Sequence, residues 1–299
     1  MKTASNAVPA TLRALTEALL GITQRAVMGS NTNTGDFLVL EIIVMIKQVP
    51  DSQEVVIDPV TFTLNRGAAR NVINPADENA IEAALRIKDK TNAHVTVITM
   101  GPPFAESALI DCMSRGVDDA VLVTDRAFAG ADTYPTGLTL ASTIKKLGKY
   151  DIIFAGEEST DSSTGHVGPG VAEFLGTDQA SYTSESWYED GFVYAKRELE
   201  DGTEVVKMKP PTLITVLTNA NDPRRATLRK KIDAMKKGIK TMTLADLGMP
   251  PEWVGLRGSP TVVKSMRTID EKKREGKKFK IEEIPKLVDE LIEKKIISI

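Results

Sequence analysis

Short apolar runs alternate with helical stretches through the middle of the chain, and the alternation begins abruptly at Glu41. Ile42–Ile46 is a continuous apolar run, and Asp77–Asp89 then carries Ala80, Ile81, Ala84, Leu85 and Ile87 at helical spacing. Val95–Met100 reads as a strand, Phe104–Arg115 as a helix, Ala120–Val123 as a strand and Gly137–Leu147 as a helix. Ile152–Ala155 is a fourth strand, with Pro169–Leu175 behind it as a helix. Strands that are apolar without alternation are buried on both faces. Set among helices, they predict an α/β fold with a doubly wound, mainly parallel sheet. Asn74-Pro75 before two acids, Asp77 and Glu78, marks a helix start, and Gly101-Pro102-Pro103 closes a strand.

The flanks differ from this middle. Residues 1–39 form an N-terminal extension in which Pro9–Val27 places Leu12, Leu15, Leu19 and Leu20 at helical spacing. Arg13, Glu17 and Arg25 make it a poor secretory signal. It reads as an appended docking helix, or as sequence ahead of a later start at Met28 or Met45, with a transit peptide as the third alternative because basic residues outnumber the one acid. After Gly176, Trp187–Ala195 and Thr203–Lys209 flank Asp201-Gly202, which predicts a β-hairpin insertion. Leu213–Leu217 is a further strand able to rejoin the sheet. A charged run, Asp270–Lys280, precedes a terminal helix whose Ile284, Leu287, Val288, Leu291 and Ile292 share one face. The expected organisation is an extension over 1–39, a nucleotide-binding α/β domain over 40–240, and a C-terminal extended arm and helix over 241–299.

Composition removes several function classes. The net charge of -3 gives no global case for nucleic acid. Arg224 to Lys240 is basic but lacks aromatics, so it reads as a solvated face or a docking element. One cysteine, Cys112, excludes an internal disulfide, and two histidines exclude a multi-histidine metal site. No apolar run approaches the roughly 20 residues of a membrane span. A cytoplasmic protein is expected.

Ligands of a doubly wound sheet lie outside the carboxyl ends of its strands. Three loops should meet there: Lys47–Ser52, Met100–Pro103 with Gly101, and Gly156–Gly168. The last offers Ser162, Ser163 and Thr164 hydroxyls, with Gly165 and Gly168 for close backbone approach to phosphate. Asp161 can accept from a ribose or tie its own loop. His166 can donate to a phosphate or flavin oxygen, or simply sit at a helix start. Lys47 can pair with an anion or with a protein carboxylate. Glu157 and Glu158 are poor neighbours for phosphate and should turn away. Neither a G-x-G-x-x-G fingerprint nor a Walker loop is present, and no Ser/His/Asp arrangement can be defended from spacing.

Several segments taken in order resemble a known family. They are I-K-Q-V-P-D, I-N-P-A-D-E-N-A-I-E-A-A-L, V-I-T-M-G-P-P, A-G-x-x-x-x-D and V-G-P-x-x-A-E-x-L-G. The longest is A-K-R-E-L-E-D-G-T-E-V-V-K-M-K-P-P-T-L-I-T-V, and N-D-P-R-R-A-T-L follows it. Over about residues 41–297 the chain is similar to the β subunit of electron transfer flavoprotein.

The resemblance implies an adenine nucleotide α hydrolase-like fold, paired with an α subunit that carries FAD. Simpler members hold AMP in the β subunit. Electron-bifurcating members hold a second FAD there, which takes hydride from NADH and sends its electrons along separate paths. Positions matching the family's nucleotide contacts are Met45, Asn74, Pro75, Ala76, Asp77, Met100 and the span from Glu157 through Val167 to Gly168. Val-Pro-Asp-Ser at 49–52 favours the bifurcating type, because AMP-binding members tend to carry an aromatic residue in place of Ser52. The resemblance makes the chain a redox subunit active only with its α subunit. Leu228 resembles the loop that meets redox partners such as a dehydrogenase, a ferredoxin or a quinone oxidoreductase. The face bearing Leu287 and Leu291 is expected against the α subunit or the flavin domain. The competing readings are an AMP-bearing carrier subunit and, from another class, an adenine-nucleotide hydrolase or ATP sensor. Asp161–Gly170 fits the phosphate loop of that second class poorly.

Overall fold

The computed structural model describes residues 39–51, 71–262 and 276–297. The helical stretch Pro9–Val27, Met28, Ser52 and residues 270–275 of the charged run lie outside the described residues. By packing, the chain divides into two compact units, 1–259 and 260–299.

Within the first unit the elements run β1 (Glu41–Met45), β2 (Gln48–Pro50), β3 (Asn71–Ile73), α1 (Pro75–Thr91), β4 (His94–Met100) and α2 (Glu106–Arg115). Next come β5 (Asp119–Val123), α3 (Thr133–Leu147), β6 (Ile152–Gly156) and α4 (Val167–Leu175). A meander follows, β7 (Asp178–Glu189), β8 (Phe192–Leu199) and β9 (Gly202–Met208). Last are β10 (Thr212–Val216), α5 (Leu228–Lys237), β11 (Lys240–Met242), α6 (Leu244–Leu247) and α7 (Gly255–Gly258). Nine strands form one sheet in the order β11-β5-β4-β1-β6-β10-β7-β8-β9. From β11 to β7 every neighbour is parallel, while β7-β8 and β8-β9 are antiparallel.

Period-two geometry sorts the apolar runs onto two faces. Ile42 and Val44 of β1 pack with Ile81, Leu85 and Leu109 of α1 and α2. Ile43 and Met45 pack with Leu140, Ile144, Val171 and Ala172 of α3 and α4. Both faces are covered, so β1, β6 and β10 need no polar side. The doubly wound, mainly parallel sheet is as the alternation predicts.

Two local readings are corrected. Trp187–Ala195 is two strands, because Asp190 and Gly191 adopt φ of 50° and 80° and reverse the chain between β7 and β8. Positive φ at both central residues suits the right-handed twist of a hairpin. The insertion is therefore a three-stranded meander, in which Trp187 stacks on Tyr194 across the first hairpin at 5.1 Å. The Lys47–Ser52 loop is also partly strand, since Gln48–Pro50 pairs antiparallel with Asn71–Ile73. Strand β11 pairs with β5, and residues through Ser259 pack in the first unit. In the second unit, helix α8 (Ile284–Glu293) leaves Ile284 and Ile292 exposed and Leu287, Val288 and Leu291 half-buried.

Cys112 lies on the inner face of α2 with no exposed surface, and burial pushes its thiol well above the ordinary range. Reactivity requires an accessible thiolate. Iodoacetamide is therefore expected to leave Cys112 unmodified in the native chain and to alkylate it fully in denaturant, as mass spectrometry will show.

Candidate functional site

The sheet reverses its strand order beside β1. The chain goes from β1 to β4 and β5 on one side, then crosses back to lay β6 on the other. A crevice is the geometric result at such a switch point. The β1–β6 ladder is paired only over Ile42–Val44 with Ile152–Phe154, and beyond it the two strand ends part.

The N-terminus of α1 fills that parting. Asn74, 1% exposed, fastens three segments. Its backbone N–H donates to the Lys47 carbonyl at 2.9 Å, its Nδ2 donates to the Glu158 carbonyl at 2.7 Å, and its Oδ1 accepts from Thr160 N–H at 3.1 Å. Asp77 reaches further in, accepting from Lys47 N–H at 2.7 Å and from Gly156 N–H at 2.9 Å. Burial pushes its carboxyl up to about 7, against the opposing pull of those amides, Asn74 and the Lys47 cation. Gly156 must be glycine, because a Cβ there would lie 2.4 Å from Asp77 Oδ1 and 2.8 Å from the Ala76 backbone.

The third loop is stapled to this floor. Ser163 N–H donates to the Ser159 carbonyl at 2.7 Å, and Ser159 and Ser162 share a hydroxyl hydrogen bond of the same length. Lys47 Nζ donates to Asp161 at 2.6 Å. Burial raises the Asp161 carboxyl, but Lys47 and Ser159 outweigh it and hold the group below the usual carboxylate range. Of the two readings open for each residue, the observed geometry has Lys47 paired with a protein carboxylate and Asp161 tying its own loop. Glu157 turns from the loop, its Oε1 accepting from Thr218 N–H at 2.8 Å. Glu158 is exposed.

Helix α4 opens toward the same loop. Its N-cap, His166, is exposed and makes no side-chain cap bond, so the first-turn N–H groups have no side-chain acceptor. Gly165 has a φ of 64°, and a Cβ there would make ordinary contact with the Glu157 carbonyl oxygen at 3.6 Å. Gly168 lets α4 sit on β10, where a Cβ would meet Thr215 at 2.6 Å. Uncapped N–H groups, serine and threonine hydroxyls and a positive-φ glycine are what a phosphate ester requires of its host. The residues present therefore fit a nucleotide. Met100 ends β4 beside β1, and Gly101 N–H is spent on the Val123 carbonyl at 3.0 Å. The structure thus brings together Met45, Lys47, Asn74–Asp77 and the Gly156–Gly168 loop. A separate cavity of about 250 Å³ between α1 and β7, lined by Ile87, Thr183 and Trp187 among others, shares none of these residues.

Sequence reasoning missed two features. Gln48 donates to Ser107 at 3.1 Å, joining the first loop to the start of α2, and its Oε1 is buried without a partner. The N-D-P-R-R segment is locked onto α1: Asn79 Nδ2 donates to the Asn221 carbonyl at 2.7 Å, and Arg224 grips the buried Glu82 at 2.8 Å. Beyond that anchor, Leu228 stands 76% exposed at the start of α5, with Ile232 and Met235 exposed along the same helix. Leu287 and Leu291 lie one turn apart on α8 in the second unit.

The family model for the electron transfer flavoprotein domain matches residues 61–247. The electron transfer flavoprotein subunit beta of Clostridium acetobutylicum is 47% identical over 229 residues, which cover 77% of this chain and 88% of that protein. The caffeyl-CoA reductase-Etf complex subunit CarD of Acetobacterium woodii is 42% identical over 225 residues, 75% of this chain and 86% of CarD. Protein FixA of Sinorhizobium fredii is 38% identical over 268 residues, covering 87% and 93% respectively. The chain belongs to the electron transfer flavoprotein family, among its β subunits.

Proposed function

We propose that this β subunit holds FAD in the switch-point crevice, accepts hydride from NADH there, and passes the electrons to the FAD of its α subunit and to a second, low-potential acceptor. The observation that carries the nucleotide reading is the crevice itself. Its diverging strands, its Asn74-stapled loop and the uncapped N-terminus of α4 converge on one place. In this reading the hydroxyls of Ser162, Ser163 and Thr164 and the first-turn amides of α4 hold the phosphates. Those donors are neutral, and the nearby Lys47 ammonium is engaged by Asp161. Met45, Pro75, Ala76 and Met100 line the adenosine side. His166, exposed at the loop's end, stays open to the rest of the ligand. The flavin would supply two-electron chemistry that no side chain here provides.

FAD is favoured over AMP by Val-Pro-Asp-Ser at 49–52 and by Val167-Gly168-Pro169 after the phosphate loop. A relative named for a complex of an Etf with a reductase supports a working assembly that includes a redox enzyme. Leu228 is the proposed contact for such a partner, and Leu287 and Leu291 for the α subunit. Among the described residues no helix is long and apolar enough to cross a membrane, and we place the assembly in the cytoplasm.

Co-purification of the full chain with its α subunit tests the reading. Two FAD per heterodimer, with bleaching by NADH, is the expected result. One FAD together with one AMP would replace it with the AMP-bearing carrier. A colourless chain that hydrolyses ATP would remove both.

A further inference from the structure

One carboxylate spans the place where β1 and β6 separate. Asp77 is 6% exposed and each of its oxygens takes a single backbone amide, Oδ2 from Lys47 just after β1 and Oδ1 from Gly156 at the end of β6. These bonds stand where the β1–β6 ladder has already stopped, so the side chain replaces a missing rung. An ionised carboxylate accepts strongly on both oxygens. A protonated one presents a hydroxyl, a much weaker acceptor, to one of the two N–H groups, and that contact loosens.

We propose that Asp77 is a positioning residue of the nucleotide crevice: ionised, it clasps the diverging ends of β1 and β6, and protonated, it releases one of them. This rests on the nucleotide reading above, and it gives Asp77 a role other than touching the ligand. Both oxygens are committed to the backbone. The charged groups around it are committed elsewhere: the Lys47 ammonium to Asp161, Glu78 to Arg115, and Glu157 to Thr218 N–H. The buried thiol of Cys112, on α2, is a further titratable neighbour and stays protonated. A carboxyl raised to about 7 changes state within the ordinary working range of an enzyme.

The sign is distinctive. Between 3.8 and about 7 the native chain keeps a proton on Asp77 that the unfolded chain has released. Its contribution to folding stability therefore falls as pH rises through that window. The clasp tightens only as the native carboxyl ionises, around the upper end of that window. Fold stability and crevice order thus respond to pH in opposite directions at this residue.

The test uses the ¹⁵N-labelled full chain and FAD, whose pyrophosphate does not titrate in this range. The Lys47 and Gly156 amide resonances are expected to shift together with one midpoint near 7. Affinity for FAD is expected to be about tenfold weaker one pH unit below that midpoint than well above it, since the competent fraction falls by that factor. Asp77→Asn should abolish the shared titration and leave a weak affinity that is flat with pH. Amides with separate midpoints, or a variant that keeps the pH dependence, would overturn the proposal while leaving the nucleotide reading intact. Affinity that improves on acidification would also overturn it, because repulsion between Asp77 and the phosphates would then dominate. Failure to bind either FAD or AMP at any pH removes the nucleotide reading, and the positioning role with it. If Asp77→Asn does not fold, the two titrations of the unaltered chain decide.

Discussion

Gly156→Ala is expected to cost about 3 kcal/mol of folding stability or more. The added methyl would lie 2.4 Å from Asp77 Oδ1, 2.7 Å from Ala76 Cβ and 2.8 Å from the Ala76 carbonyl carbon. All three atoms belong to the first turn of α1, which cannot retreat without breaking the Asn74 bonds to Lys47 and the Glu158 loop. Asp77 Oδ1 is also the acceptor for Gly156's own N–H, so overpacking and a lost hydrogen bond coincide. Gly170→Ala is the matched control. It lies in α4 with nothing within 4 Å of the new methyl, and is expected to be neutral or stabilising by about 0.5 kcal/mol. Urea denaturation of both variants checks the contrast, and equal midpoints would refute the close-approach argument.

Arg224→Ala is expected to cost about 3 kcal/mol by leaving a buried carboxylate without its main partner. Glu82 is 5% exposed and takes Arg224 Nε at 2.8 Å and its backbone N–H at 3.1 Å, with Arg86 four residues along as a lesser partner. The figure sits at the lower end for buried pairs because the Arg224 side chain keeps 30% exposure. Burial raises the Glu82 carboxyl, but the Arg224 and Arg86 bonds outweigh it and hold the group below its ordinary 4.5. Its stabilising contribution is therefore complete above that ordinary value and is lost as pH falls through the lowered one. In Arg224→Ala the carboxyl should rise instead, so the stability gap between variant and parent should narrow on acidification. Denaturation midpoints measured at neutral and acid pH test this, and a gap constant with pH would count against it. Because Leu228 follows this anchor by four residues, the variant should also loosen the exposed face of α5, seen as faster amide exchange there.

The sheet was legible because its signal is local. Each buried strand is a run of β-branched and aliphatic residues, and each covering helix repeats its apolar positions on one face. Asp190-Gly191 escaped because a turn pair inside a long β-prone stretch reads as continuous strand unless the dipeptide is weighed first. The loops of the candidate site were legible from glycines and hydroxyls near strand ends. The commitments of their charged residues were not. Lys47 and Asp161 are 114 positions apart, Arg224 and Glu82 142, and no periodicity joins such pairs. Asp77 shows the limit most clearly. Its place in the first turn of a helix is an ordinary preference for acids there, yet the fold turns it inward to bridge two strands that meet only in the finished sheet.

The insertion of β10 between β6 and β7 bears on how the chain is made. β7, β8 and β9 are joined by two-residue turns and can close on one another as soon as they are synthesised. They cannot yet join the sheet, because the strand that belongs between them and β6 is translated last of the group. A nascent chain paused before Thr212 carries open β edges at β6 and β7, the first built from Ile152, Ile153 and Phe154, beside the β5 edge that awaits β11. Such edges pair readily with other chains. Union of the meander with the parallel strands thus waits for β10, and until it arrives the β6 and β7 edges are open to pairing with other chains.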